Sequence, residues 1–280
     1  MASNLQKVTV ILGAGASQDC RGASPVRPTS SQWTPPLANE LFSNAALHEN
    51  IENILIRYEG ATVVRELIVN GTNGTAEAIE EELRRIASPE GGHLSAYKHV
   101  PPYLRDYLAR VSSFYTTSPG AYVHLANELL IEKPHDVAFI VLNYDTFLEQ
   151  ALSKPPWNAK FDSVDAYLQA GNPFQVFKVH GSVNWAVELE YPGDNWDRAV
   201  EDFDLSLDNK KMVMFGNHRI IGDVKVRHGG YYPVLTAPLA GKTDLELVCP
   251  KSALQDFLED CRKFLIIGSS GLDADVLSLL

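Results

Sequence analysis

Two short stretches of this 280-residue chain carry the side chains best suited to acid–base and polar chemistry. One is Leu142-Asn143-Tyr144-Asp145; the other is Val179-His180-Gly181-Ser182. An imidazole titrates near neutrality and can take a proton from a hydroxyl, while an amide can orient a hydroxyl or a water. Two further clusters, Gly13-Ala14-Gly15-Ala16-Ser17 and Gly268-Ser269-Ser270-Gly271, are made of small residues. Such turns let a backbone approach an anionic ligand, whose charge is met by N–H groups and a helix N-terminus. Each cluster also has a purely structural explanation. Asn143 suits a helix cap, Asp145 a helix N-terminal carboxylate, His180 a hydrogen-bonded core position, and Gly268 to Gly271 a turn. The first cluster falls short of the G-x-G-x-x-G dinucleotide fingerprint, because position 18 is Gln18.

Position in the chain joins the four clusters, since each ends a short apolar run. Val8 to Leu12, Val137 to Leu142, Phe174 to Val179 and Lys263 to Ile267 read as buried parallel strands. In an open parallel sheet, ligands bind outside the carboxyl ends of the strands, so the clusters are expected to converge on one crevice. The glycines are expected to leave room there for a ligand's phosphates and ribose. Between the first two strands, residues 37 to about 133 are helical in pattern, with Ile51, Ile54, Leu55 and Tyr58, and again Leu104, Tyr107, Leu108 and Val111, at three- and four-residue spacing. Thr34-Pro35-Pro36 leads into a helix start at Leu37, and Asn70 to Gly74 forms a loop between two helices. Glu80, Glu81, Glu82, Arg84 and Arg85 read as a solvated helix face. Gln18 to Pro36 reads as a long loop, and 183 to 243 as short β-like pieces that include Lys211 to Phe215 and Val234 to Ala237. Lys251 to Cys261 and Asp273 to Leu280 read as helices.

Composition narrows the classes. With 45% hydrophobic residues the chain can build a real core. A net charge of -11 argues against a broad nucleic-acid surface, which needs clustered Lys and Arg. The three cysteines, Cys20, Cys249 and Cys261, are far apart and form no C-x-x-C pair, so no zinc ribbon or disulfide framework is signalled. With no membrane-spanning run and no leader at the N-terminus, a cytoplasmic location is expected.

Taken together, the clusters resemble the sirtuin family. Gly13 to Ser17 is similar to its GAG-x-S loop, Leu142 to Asp145 to its Q-N-I-D motif, Val179 to Ser182 to its catalytic H-G, and Gly268 to Val276 to its late ribose and phosphate loop. The resemblance implies an α/β fold, a Rossmann-like parallel sheet with an inserted helical module over about 37–133, spanning 1–280 as one NAD-binding catalytic domain. It implies NAD as substrate, opened at the nicotinamide–ribose bond, with no metal. His180 would act as base on a ribose hydroxyl, Asn143 would position ribose or the attacking water, and Asp145 would contact the carboxamide. Gly13, Ala14, Gly15, Ser17, Gly268, Ser269 and Ser270 would hold the rest of the dinucleotide.

Departures from the deacetylase branch set the subclass. No cysteine lies between His180 and Cys249, where deacetylases carry zinc-binding pairs, and the F-G-E segment of the acyl-lysine channel is absent. The zinc-free pattern is similar to the NAD hydrolase domains of bacterial anti-phage defence proteins. That likeness implies a homo-oligomer, or a sensor domain or partner protein; because the chain ends inside the helix expected after Gly268 to Gly271, either a shorter sheet or, in preference, a fragment of a longer protein is expected. Three alternatives stay open: a catalytically silent sensor of NAD or ADP-ribose, an NAD-dependent protein deacylase and a dehydrogenase.

Overall fold

The computed structural model describes residues 5–18, 35–42, 49–114, 120–132, 135–168, 174–190, 196–205, 210–214, 229–236 and 251–269. The chain opens with β1 (Lys7–Leu12), which turns into the four-residue α1 (Ala14–Ser17). A helical stretch follows: α2 (Glu49–Arg57), α3 (Glu59–Gly71), α4 (Ala76–Ala87), α5 (Leu94–Tyr97), α6 (Val100–Phe114) and α7 (Ala121–Asn127). Strand β2 (Asp136–Val141) leads to α8 (Phe147–Leu152), and β3 (Phe174–Lys178) passes almost directly into β4 (Gly181–Glu190). The remaining elements are α9 (Trp196–Asp202), β5 (Met212–Met214), β6 (Gly229–Leu235), α10 (Lys251–Glu259) and β7 (Phe264–Ile267).

Four strands form a parallel sheet in the order β3-β2-β1-β7, flanked by helices, so the fold is α/β and Rossmann-like. The alternation of side chains decides what each face covers. Val8, Val10, Leu12, Val137, Phe139, Val141, Phe174 and Val176 point to one face. They join one continuous core with Val64, Ile68 and Leu83 from the helical stretch and Val183 and Trp185 from β4. Ile11, Ala138, Ile140 and Phe177 point to the other face, where Leu254 and Phe257 of α10 cover them. Both faces of β1 and β2 are therefore dry, which is why their sequences read as unbroken apolar runs. At the edge, β7 keeps Phe264, Leu265 and Ile266 exposed.

The helices follow their periodicity. In α4, Ile79, Leu83 and Ile86 are buried, each burial worth roughly 1.5–3 kcal/mol relative to exposure. Thr75 caps its N-terminus through Ala78 N, and residues 72–75 form the expected loop after α3. On the acid-to-base face Glu81, Arg84 and Arg85 are exposed and Glu80 and Glu82 half-buried, with Glu82 paired to Arg85 at 2.6 Å. α6 differs, because residues 100–109 are all buried and carry Arg105 and Asp106 into the core. Both charges are satisfied. Arg105 Nε donates to Val183 O at 2.9 Å, Arg105 Nη1 pairs with Asp106 at 2.9 Å, and Tyr58 donates to Asp106 at 2.5 Å. These bonds tie the helical stretch to the start of β4.

Two expectations change. In the segment after His180 the short pieces expected at 211–215 and 234–237 are met by β5 and the end of β6, but they flank β4, a ten-residue strand at the centre of a second, antiparallel sheet ordered β5-β4-β6. Polar Ser182, Asn184 and Glu188 interrupt its hydrophobic pattern and hide its length. Leu37 to Phe42 forms only a three-residue 3₁₀ turn at Ala38–Glu40, closed by Glu40 accepting from Leu37 N at 2.8 Å. The expected helix at 273–280, most of the 18–36 loop, Cys20 and Cys249 lie outside the described residues.

Candidate active site

The parallel register places the ends of β3, β2, β1 and β7 along one edge of the sheet. From β1 the chain builds outward through β2 to β3, then returns to the other side of β1 as β7. The strand order therefore reverses between β1 and β7, the point in such sheets where ligands bind. The Gly13 turn and the Gly268 turn meet there. Gly13 N donates to Ile267 O and Gly15 N to Gly268 O, both at 2.9 Å, and Ala16 N closes onto Gly13 O.

The glycines are needed for this contact between two stretches of the protein's own backbone. A Cβ on Gly13 would lie 2.5 Å from Gly268 O and 2.6 Å from Ser269 Cα. Gly268 has φ +65°, and its Cβ would lie 2.0 Å from Ala16 N. The expectation that the glycines leave room chiefly for a ligand is thus corrected. They let the two turns weld together: the amides of Gly13 and Gly15 are spent on that junction, and that of Ala16 closes the Gly13 turn on itself. The amide of Ala14, first in α1, is not among those bonds.

Next to the weld lies a polar hub built on Ser17, which is 1% exposed. Its hydroxyl donates to Asp145 Oδ2 at 2.6 Å and accepts from Asn143 Nδ2 at 2.8 Å. Since the Ser17 proton goes to the carboxylate, the 3.0 Å contact with Tyr122 requires the tyrosine to donate. One proton and two lone pairs are then fully used in holding the neighbours of Ser17. Asn143 spends its second amide proton on Gly13 O at 2.9 Å, which fixes the side chain against the glycine turn. Its Oδ1 accepts no hydrogen bond among the described residues. Asp145 is held at both oxygens, by Ser17 and by Phe147 N at 3.1 Å, where it starts α8.

The loop 142–146 is also held from below. Lys178 is 1% exposed, forms a 3.3 Å ion pair with Glu149 and donates to the Asp145 carbonyl. Burial raises the Glu149 carboxyl above its ordinary range, and Lys178 pulls it back down. Tyr167 donates to Glu149 at 3.2 Å; burial and the neighbouring Glu149 raise the phenol.

His180 sits where β3 leaves the parallel sheet and β4 enters the antiparallel one, beside the 142–146 loop. Val183 N donates to Tyr144 O at 2.9 Å, and the Tyr144 and His180 rings are 6.3 Å apart. Gly181 must be glycine: its φ is +82°, and a Cβ would lie 1.9 Å from Val234 O on β6. From the end of β6, Thr236 N donates to His180 O at 3.0 Å, and Thr236 Oγ1 lies 3.3 Å from His180 Nδ1.

The structure thus brings Gly13, Ala14, Gly15, Ser17, Asn143, Asp145, Gly268 and Ser269 to one edge, with His180 on the adjoining strand end; Ser270 lies outside the described residues. Sequence reasoning missed Tyr122, Thr236, Lys178 and Glu149. Only Lys178 gave a signal, as a charge inside the apolar run Phe174 to Val179. Among the described residues, no group of three or more His, Cys, Asp or Glu could hold a metal ion, and no helix is long and apolar enough to cross a membrane. Neither a scan against protein-family models nor a search of curated proteins finds a match to this chain.

Proposed function

We propose that this protein hydrolyses NAD at the nicotinamide–ribose bond, in the manner of the sirtuin-like domains its motifs resemble. The observation that carries the reading is Asn143, pinned by its amide protons to Gly13 O and Ser17 at the reversal of strand order, with His180 on the adjoining strand end. Pinning the amide nitrogen leaves Oδ1 to orient a ribose hydroxyl or the attacking water. Loss of nicotinamide builds positive charge on the ribose ring, so the reaction gains from fixed acceptors and from a base near neutrality. His180 takes the proton of a ribose hydroxyl; water supplies the new oxygen on the ring carbon and returns a proton to the ribose oxygen, and His180 releases its own to solvent. The balance is NAD plus water to nicotinamide, ADP-ribose and a proton; an internal nucleophile in place of water gives a cyclised product. Asp145 shapes the pocket wall while anchored by Ser17. The motif resemblance further supports a role as effector of an anti-phage defence system, cytoplasmic and assembled with itself or with a sensor.

The test is NAD turnover, NAD affinity and thermal unfolding measured together on His180→Ala and Asn143→Ala. His180→Ala should lose about 100-fold to 10,000-fold in turnover with affinity retained. Asn143→Ala should lose similar turnover and also about 1–3 kcal/mol of stability, because Ser17 and Gly13 O each lose a partner. A His180→Ala protein that is less stable yet fully active overturns the assignment.

A further inference from the structure

Thr236 directly follows β6 of the second sheet, and its polar groups are directed at the turn that carries His180 and at the neighbouring Tyr144. Its N–H donates to His180 O at 3.0 Å, and its carbonyl accepts from the Tyr144 hydroxyl at 2.8 Å. Its Oγ1 meets His180 Nδ1 at 3.3 Å. The threonine is therefore clamped through both main-chain groups, one to the loop after β2 and one to the turn after β3. Its hydroxyl is placed by backbone bonds that do not depend on its own side chain. Gly181 adds to this, since only glycine lets β6 come close enough for the contact.

We infer that Thr236 is the positioning residue for His180: its hydroxyl oxygen accepts the Nδ1 proton and so fixes the imidazole in the tautomer whose Nε2 carries the lone pair. In a neutral imidazole the partner of one nitrogen decides which nitrogen is basic. Resting on the NAD-hydrolase reading, the consequence is that Nε2 takes the ribose hydroxyl proton and the oxygen keeps its electron pair. The resulting imidazolium retains its Nδ1–H on Thr236 Oγ1. The antiparallel sheet thereby takes part in the site as the element that orients the base, although nothing on it would touch the reacting ribose.

The experiment uses the full chain labelled with ¹⁵N-histidine, with His180 assigned by the signal lost in His180→Gln. Wild type should show His180 protonated at Nδ1. Thr236→Val, which keeps the β-branched shape and the main-chain bonds, should move it toward the Nε2–H form and lower kcat for NAD by about tenfold or more, part of the ~100-fold to 10,000-fold that an acid–base group contributes, with KM within about twofold. Thr236→Ser should restore both. An Nε2–H tautomer in wild type, or a Thr236→Val protein unchanged in tautomer and kcat, overturns the inference. If Thr236→Val does not fold, the wild-type and Thr236→Ser tautomers still decide. If wild type releases no nicotinamide, the hydrolase reading fails alone, because the ¹⁵N signature is read without turnover.

Discussion

Replacing Gly268 by alanine tests the weld between the two turns. The substitution carries two separate costs. The residue has φ +65°, where a side chain costs about 1–2 kcal/mol. The new Cβ also lies 2.0 Å from Ala16 N and 2.4 Å from Gly15 C, backbone atoms that cannot rotate away. Relieving that overlap forces the β1 and β7 turns apart, at about 1–3 kcal/mol for overpacking. The sum, roughly 2–5 kcal/mol, is a large share of the ~5–15 kcal/mol that holds a typical domain together. At about 2–4 °C per kcal/mol it lowers Tm by roughly 4–20 °C. Two other glycines separate the contributions. Gly74 has φ +78° with nothing within 4 Å of a Cβ, so Gly74→Ala carries the backbone cost alone. Gly13 has no positive φ but a Cβ contact of 2.5 Å, so Gly13→Ala carries the steric cost alone. Scanning calorimetry on all three should rank Gly268→Ala as the least stable. Calorimetric titration should show its NAD binding falling along with its stability. If Gly268→Ala melts no lower than Gly74→Ala, the two turns are not packed as described.

Ser17→Ala leaves Asn143, Tyr122 and Asp145 each short of a partner; urea unfolding should show a loss of about 1–3 kcal/mol, and NAD turnover should fall roughly tenfold to hundredfold as Asn143 loosens. Lys178→Met strands Glu149 in the core at about 3–5 kcal/mol, and adding Glu149→Met should recover much of that loss in a double-mutant cycle. Glu149 also gives a pH signature. Burial raises its folded pKa above the ordinary 4.5, so folding favours the protonated form. Its stabilising contribution is therefore full below pH 4.5 and is lost as pH rises through the raised value. Unfolding free energies of wild type and Glu149→Gln should accordingly diverge upward from that pH, the wild type falling relative to the variant.

The parallel sheet was legible because β1 and β2 are buried on both faces and their residues are apolar without a break. The site edge was legible for the same reason, since polar clusters at the ends of such strands have only one side of the sheet to occupy. The internal use of those clusters was hidden. Nothing in Gly13 to Ser17 shows that its amides meet the Gly268 turn, because the partners lie more than 250 residues apart and pair only through topology. Tyr122 reaches Ser17 from a helix whose sequence reads as ordinary core packing. Thr236 sits at the end of a strand that was readable, but its meaning depends on β4 folding back on β6. Ser182, Asn184 and Glu188 masked that strand's length.

The central claim is that the polar edge of the parallel sheet breaks the nicotinamide–ribose bond. The direct measurement is to incubate the purified protein with NAD and no peptide, including after assembly with itself or a partner, and to separate the products by chromatography. The account predicts nicotinamide and ADP-ribose, or a cyclised form, in equal amounts as NAD disappears, with the activity lost in His180→Ala. NAD that binds by calorimetry and yet stays intact under every one of those conditions would contradict it.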